Sequence, residues 1–306
     1  MKGQEFLDSA VIDDRMVNFD AYTHAGEIAK VKAATSYQDA VKRQFLNPEE
    51  EVGLRLPWAK ATEFRFRPGE FTIWTGYNGH KKSMMLGYVM LGLMAQGEKS
   101  CIASMEMPPR KTLSRMCKQW VGVGEPTMQY VDKYFSWLHN RLWLYDQIGT
   151  VKAERMIGVA RYAITELGVT QIVIDSLMKC GIAEDDYNKQ KWFADELSTL
   201  AKDTNAHIHL VAHAKKPENG KESMPSTKYG VSGSGNLTNM ADNVIIVFAQ
   251  KDDSKSYDAL LNVEKQRNGG TEPRYALHFD TESLQFKSHE TALKISPEDW
   301  ELCRWP

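Results

Sequence analysis

Residues 71–83 read Phe-Thr-Ile-Trp-Thr-Gly-Tyr-Asn-Gly-His-Lys-Lys-Ser, and the fold turns on how this stretch is understood. Phe71 to Trp74 is a short apolar run suited to a buried strand. It breaks into a loop bearing glycines, and Met84 to Ala95 then reads as an apolar helix. Strand, loop and helix in that order form the setting of a phosphate-binding loop. A polyphosphate needs inward-turned backbone N–H groups, a helix N-terminus behind them, a cation, and a hydroxyl for magnesium. Gly76 and Gly79 let the backbone curl, Lys82 can reach the β- and γ-phosphates, and Ser83 can hold the metal. The candidate phosphate-binding set is Gly76, Asn78, Gly79, His80, Lys81, Lys82, Ser83 and Met84. Against the pattern Gly-x-x-x-x-Gly-Lys-[Ser/Thr], the second glycine is Lys81. The same residues also suit an ordinary glycine turn before a basic helix start.

The surrounding 306 residues carry 42% hydrophobic and 25% charged side chains, the balance of a globular protein with a sizeable core. The formal net charge is −2, so no global basic field advertises nucleic acid, and any such contact must come from local patches. Four cysteines, at 101, 117, 180 and 303, are scattered without a Cys-x-x-Cys pair. That spacing argues against zinc and favours buried thiols in a reducing compartment. No signal peptide and no membrane-spanning run is read, so a cytoplasmic location is expected.

Residues 1–50 are polar and lack strand-like runs, and form a predicted arm. Ser36 and Asp39 resemble a capping start, and Tyr37, Val41 and Phe45 then recur along one helical stripe. The stripe is expected either to pack on its own domain or to dock on a neighbouring subunit. From about residue 52, strands alternate with helices. The predicted strands are 71–75, 100–104, 142–145, 171–175, 208–212 and 244–248. Met156, Val159, Ala160, Ala163 and Leu167 share a helical face closed by Gly168, as do Phe193, Leu197, Leu200 and Ala201 further on. This is an α/β fold: a mostly parallel sheet covered on both faces. After residue 257 come strands without helices (259–264, 275–279 and 284–286), an antiparallel extension. The expected domains are an arm (1–50), a main domain (51–290) and a tail (291–306).

Parallel α/β proteins bind ligands at the C-terminal ends of their strands. The second predicted strand ends in Ser104-Met105-Glu106-Met107-Pro108, where Glu106 can polarise a water or simply precede a helix. The strand Ile172-Val173-Ile174 delivers Asp175, either a magnesium-associated acid or a helix cap. His213 follows the next strand, as a structural histidine or a γ-phosphate sensor. The polar segment 215–232 carries Lys215, Lys216, Lys221 and Lys228, either solvated or contacting a nucleic-acid backbone. Gly233-Ser234-Gly235 opens a short helix that can turn amides toward a phosphate. Lys265 and Arg267 alternate onto one side of a late strand, as plain surface or reaching a nucleotide held by another subunit.

Six pieces in order resemble the DnaB-type ring helicases, the group of the phage primase-helicases and Twinkle with a RecA-like motor. They are Gly-Tyr-Asn-Gly-His-Lys-Lys-Ser, Ser-Met-Glu-Met-Pro, Ile-Val-Ile-Asp-Ser-Leu, Val-Ala-His-Ala-Lys-Lys-Pro, Ser-Gly-Ser-Gly-Asn-Leu and Glu-Lys-Gln-Arg-Asn-Gly. The resemblance covers residues 50–290. It implies an ATP- or other NTP-driven replicative helicase that uses Mg2+, forms a homo-oligomer expected to be a hexamer, and moves 5′→3′ on single-stranded DNA. Lys82 and Ser83 would hold phosphate and metal. Glu106 would be the catalytic carboxylate, Asp175 the magnesium-associated acid acting through water, and His213 the sensor. Arg267, with Lys265 beside it, would be the finger supplied by a neighbour. The segments 178–191 and 214–232 would line the DNA channel, and the stripe of residues 37–45 would be the linker helix.

Two departures stand out. The chain leaves no room for the primase or helical collar domain usual in these proteins, so priming is expected from a separate primase, with a polymerase as a further partner, or the sequence is a fragment. Lys81 replaces a family glycine, which adds strain if the loop needs positive φ there. Two other functions suit the same residues: a RecA-like recombination ATPase forming filaments, and a nucleotide-binding scaffold that does not hydrolyse.

Overall fold

Nearly continuous apolar runs separated by amphipathic helices form buried parallel strands with covering helices, and the chain folds in this way. The computed structural model describes residues 11–12, 33–46, 53–215, 225–231, 235–251 and 254–288. The strands are β1 (Val11–Ile12), β2 (Leu54–Arg55), β3 (Arg65–Phe66), β4 (Phe71–Thr75), β5 (Ser100–Ser104), β6 (Leu142–Tyr145), β7 (Gln171–Asp175), β8 (His207–Val211), β9 (Asn243–Ala249), β10 (Ala259–Gln266), β11 (Arg274–Phe279) and β12 (Phe286–Ser288). The helices are α1 (Gln38–Leu46), α2 (Lys82–Ala95), α3 (Pro109–Val121), α4 (Met128–Leu138), α5 (Ala153–Leu167), α6 (Tyr187–Thr204) and α7 (Gly235–Met240).

Among the described residues, one sheet has the order β1-β6-β5-β7-β8-β4-β9-β10-β11-β12. From β1 to β9 every pairing is parallel, and β10, β11 and β12 add antiparallel strands. The period-two alternation along β4 separates two cores. Phe71 and Ile73 pack with α5, α6 and α7 on one face, while Trp74 packs with α2, α3 and α4 on the other. Helix α2 is buried almost all round, which explains why its sequence is apolar without an amphipathic stripe. Gly168, at φ 67°, closes α5 as expected.

The sheet's N-terminal ends are tied by a buried polar ladder. Thr72 Oγ1 meets His207 Nε2 at 2.7 Å, and Trp74 Nε1 donates to His209 Nδ1 at 3.1 Å. Asn243 Nδ2 donates to Glu70 Oε2 at 2.8 Å. Burial pushes the His207 imidazole down to about 4, and burial, with the neighbouring His207 charge, holds His209 well below its ordinary value.

The arm differs from expectation at its first strand and at Ser36. It does contain a strand, because Val11 and Ile12 pair parallel with Leu144 and Tyr145 at the sheet edge. Among the described residues the stripe is left uncovered: Tyr37, Val41 and Phe45 are 50%, 46% and 81% exposed. Ser36 is no helix cap either, since its Oγ donates to the Ala33 carbonyl inside a 3-10 turn. The last predicted strand is displaced, forming at Phe286–Ser288. The tail, 291–306, lies outside the described residues.

Candidate active site

The loop after β4 is shaped by close approach and by positive φ. Gly76 has φ 145°, and a Cβ placed there would stand 2.2 Å from the Val247 carbonyl oxygen of β9. Gly79 has φ 77° with open space around it, so glycine is required there by conformation alone. Lys81 also occupies the left-handed region, at φ 62° and ψ 24°. A lysine in that conformation costs roughly 1–2 kcal/mol relative to glycine, so the strain expected at this position is present. Its ammonium lies 4.6 Å from the centre of the Phe279 ring. The Lys82 ammonium donates to the carbonyls of Gly76 and Tyr77, both at 2.9 Å.

His80 departs from its expected place among the phosphate contacts. Its ring is buried against Tyr77 and Phe248, and its Nδ1 accepts the Ala249 N–H at 3.1 Å. An aromatic imidazole flanked by apolar rings turns into the core and pins the loop to β9.

The ends of β4, β5, β7 and β8 converge on one cavity of about 620 Å³. Asn78, Gly79, Lys81, Lys82, Ser83, Met84, Glu106, Asp175 and His213 all line it. Asp175 is buried and its carboxyl is pushed up to about 6. Burial is the main cause, and the Glu106 charge adds to it against the opposing Ser83 hydrogen bond and Lys82 charge. Glu106 is exposed and accepts a hydrogen bond from Ser176 Oγ at 3.1 Å. It precedes α3 without joining it. Burial first, then the Lys82 charge, lowers the His213 pKa, while Glu106 and Glu184 pull the other way. Among the described residues His213 Nδ1 has no hydrogen-bond partner.

Lys265 and Arg267 stand at the opposite end of the sheet. Gln266 pairs with Asn243, and Asn243 with Thr72, which places this tip of β10 at the N-terminal end of β4. The Lys265 ammonium caps α7, donating to the carbonyls of Thr238, Asn239 and Ala241 at 2.9, 3.1 and 2.6 Å. That role corrects the expectation of a second cation reaching outward. Arg267 is held 3.0 Å from Asp242, yet its side chain remains 44% exposed.

The lysine segment is only partly described. Lys215 is exposed, and its backbone N–H bonds to Gly230 O at 2.7 Å, closing the base of the loop. Lys228 does not stand ready for nucleic acid, because its ammonium bonds to the Glu264 carbonyl at 3.2 Å and sits 3.6 Å from Glu272. Gly235 begins α7. Lys216, Lys221, Gly233 and Ser234 lie outside the described residues. The predicted channel segment 178–191 is not one loop: Met178 and Lys179 border the cavity, and Tyr187 begins α6 behind an Asp186 cap.

Sequence reading missed Arg115, Met107, Met178 and Lys179 as lining residues. Arg115 also borders a second, adjoining cavity of about 30 Å³. In the sequence it is one of several cations on an amphipathic helix, and no spacing distinguishes it from Lys111 or Lys118.

Residues 63–288 match the family described as DnaB-like helicase C terminal domain. A DNA helicase/primase of Enterobacteria phage T3 is 25% identical over 240 residues, 70% of this chain and 42% of that protein. A chloroplastic/mitochondrial Twinkle homolog of Arabidopsis thaliana is 23% identical over 243 residues, 71% of this chain and 34% of that protein. The chain thus spans less than half the length of these two relatives. Among solved structures, an isolated ATPase domain aligns with a TM-score of 0.71 at 12% identity, covering 85% of this chain and 100% of that domain. A DnaB-like replicative helicase, described with its interactions with primase, aligns at 0.68 and 12% identity, covering 86% of this chain and 68% of that one.

Proposed function

The chain belongs to the DnaB-like helicase C-terminal domain family, and from that premise we propose that it is the NTP-driven motor of a replicative DNA helicase, working as a ring of identical subunits on single-stranded DNA. The motor is residues 51–290, preceded by a docking arm. One observation carries the reading: Lys82, Ser83, Glu106, Asp175 and His213 meet in one cavity, while Arg267 lies at the far end of the same sheet. A complete site then needs the Arg267 of an adjacent subunit. The exposed stripe of Tyr37, Val41 and Phe45 suits docking on that neighbour.

The donor set also fits Mg2+. One hydroxyl, one buried carboxylate and the phosphate oxygens of a nucleotide are the ligands this ion takes, completed by water. Ser83 and Asp175, already hydrogen-bonded to each other, would hold it. The ion would supply neutralisation of the phosphate charge. Lys82 leaves its two carbonyls for the phosphates. Glu106, oriented by Ser176, takes a proton from the attacking water, and the neutral His213 ring hydrogen-bonds near the γ-phosphate. Arg267 from the neighbour offsets the charge developing in the transition state. Lys215, with the loop it closes, offers backbone contacts to DNA.

The test is phosphate release from ATP by the purified chain, with and without single-stranded DNA, beside Lys82→Ala. Hydrolysis stimulated by DNA and abolished in Lys82→Ala supports the reading. Nucleotide binding without hydrolysis, with DNA present, would make the chain a scaffold instead.

A further inference from the structure

Lys81 is the residue lining the cavity whose presence the loop's backbone disfavours. Its φ of 62° is a conformation glycine adopts without steric cost and lysine does not. Strain of this kind persists where the surrounding structure holds it, and an observed outlier at a cavity rim calls for a functional account. Its side chain supplies one. The ammonium sits over the Phe279 ring at 4.6 Å, and that ring packs on Phe286 at 5.0 Å. Among the described residues no carboxylate is paired with it. A cation on an aromatic face at a partly open site is held weakly, whereas a charge-assisted hydrogen bond to a phosphate oxygen is much stronger. Lys81 is moreover the N-cap residue of α2, next to Lys82 and Ser83 in the lining of the cavity.

We infer that Lys81 is a second phosphate-binding cation of this site, resting on the Phe279 ring until a polyphosphate enters and then transferring to its oxygens. This rests on the reading that the cavity takes a nucleoside triphosphate, and it adds what the family's glycine cannot: a charge that moves on binding. The transfer also uncovers one face of the Phe279 ring, so occupancy of the loop is felt at β11, in the antiparallel part of the sheet.

The test is calorimetric binding of inorganic tripolyphosphate and of ATP over a salt series, to the wild-type chain and to Lys81→Gly, Lys81→Met and Lys82→Ala. Tripolyphosphate has no base or sugar, so it reports on the phosphate contacts alone. Methionine keeps the bulk and the strain without the charge, and glycine removes all three. Exchanging a cation–π contact for a charge-assisted hydrogen bond predicts that both Lys81 variants bind tripolyphosphate about tenfold more weakly. Both are also expected to show a shallower salt dependence, with Lys81→Gly melting above the wild type. Wild-type affinity and salt dependence in either Lys81 variant, with binding lost in Lys82→Ala, would overturn the inference and leave the nucleotide site standing. No binding of either probe to the wild-type chain would overturn both.

Discussion

Ser176 Oγ donates to Glu106 Oε1 at 3.1 Å, joining the C-terminal ends of the neighbouring strands β7 and β5. The Met105 N–H bonds to the Asp175 carbonyl at 3.0 Å, so the ladder continues one residue beyond the strands and fixes where the carboxylate stands. Glu106→Gln keeps the shape and removes the base. It should bind nucleotide normally and turn over 10²–10⁴-fold more slowly, the usual contribution of a general base. Ser176→Ala should lower kcat less, with KM unchanged. Steady-state hydrolysis with separate nucleotide-binding titrations measures both, and normal turnover in Glu106→Gln removes this residue from the chemistry.

Gly76 and Gly79 are required for different reasons, and substitution separates them. Alanine at 76 drives a Cβ to 2.2 Å from a backbone oxygen of the central strand β9, which cannot yield locally. Urea unfolding should show a loss of about 3 kcal/mol. Alanine at 79 meets nothing within 4 Å and bears only the positive φ, so the loss should be about 1 kcal/mol. Equal losses at the two positions would contradict this account of the loop.

The buried histidine at 207 predicts a pH dependence of stability. In the fold its pKa is depressed from 6.5 to about 4 by burial, against opposing contributions from the Arg67 carbonyl and the Asp242 charge, with the His209 ring stacked on it at 4.5 Å. The unfolded chain therefore binds more protons in that window, and stability falls as pH drops from about 6.5 toward 4. His207 alone contributes roughly 3 kcal/mol to that loss. His207→Gln, which keeps a polar partner for Thr72, should flatten the slope below pH 6.5 in chemical denaturation. An unchanged slope would mean that the ring is already protonated in the fold.

Much of this architecture was legible because the parallel strands are apolar along their whole length, with turn residues between them. Glu106, Asp175 and His213 were identifiable because each stands at or just past the C-terminal end of such a strand, where α/β proteins place their ligands. Other features had no local sign. The two-residue strand Val11–Ile12 is too short to stand out from a polar arm. The His207–Thr72 and Asn243–Glu70 contacts join residues far apart in the chain. His80 looked like a phosphate contact by position, and only the rings of Tyr77 and Phe248 show why it turns inward. Lys265 and Arg267 looked like outward-reaching cations by alternation, yet Lys265 ends on the carbonyls at the end of α7, and Arg267 shares two of them, Asn239 and Ala241.

The central claim is that each catalytic site is completed by a neighbour, with Arg267 of one subunit serving Lys82 of the next. Arg267→Ala removes the finger, worth 10³–10⁵-fold in turnover, and Lys82→Ala removes the phosphate lysine, so each variant alone should be inactive. Mixing the two and allowing subunits to exchange is the most direct measurement. Head-to-tail interfaces in a mixed ring restore an intact pair at about a quarter of the positions, so hydrolysis stimulated by DNA should reappear toward that fraction of the wild-type rate. A mixture no more active than the sum of its parts would contradict the account.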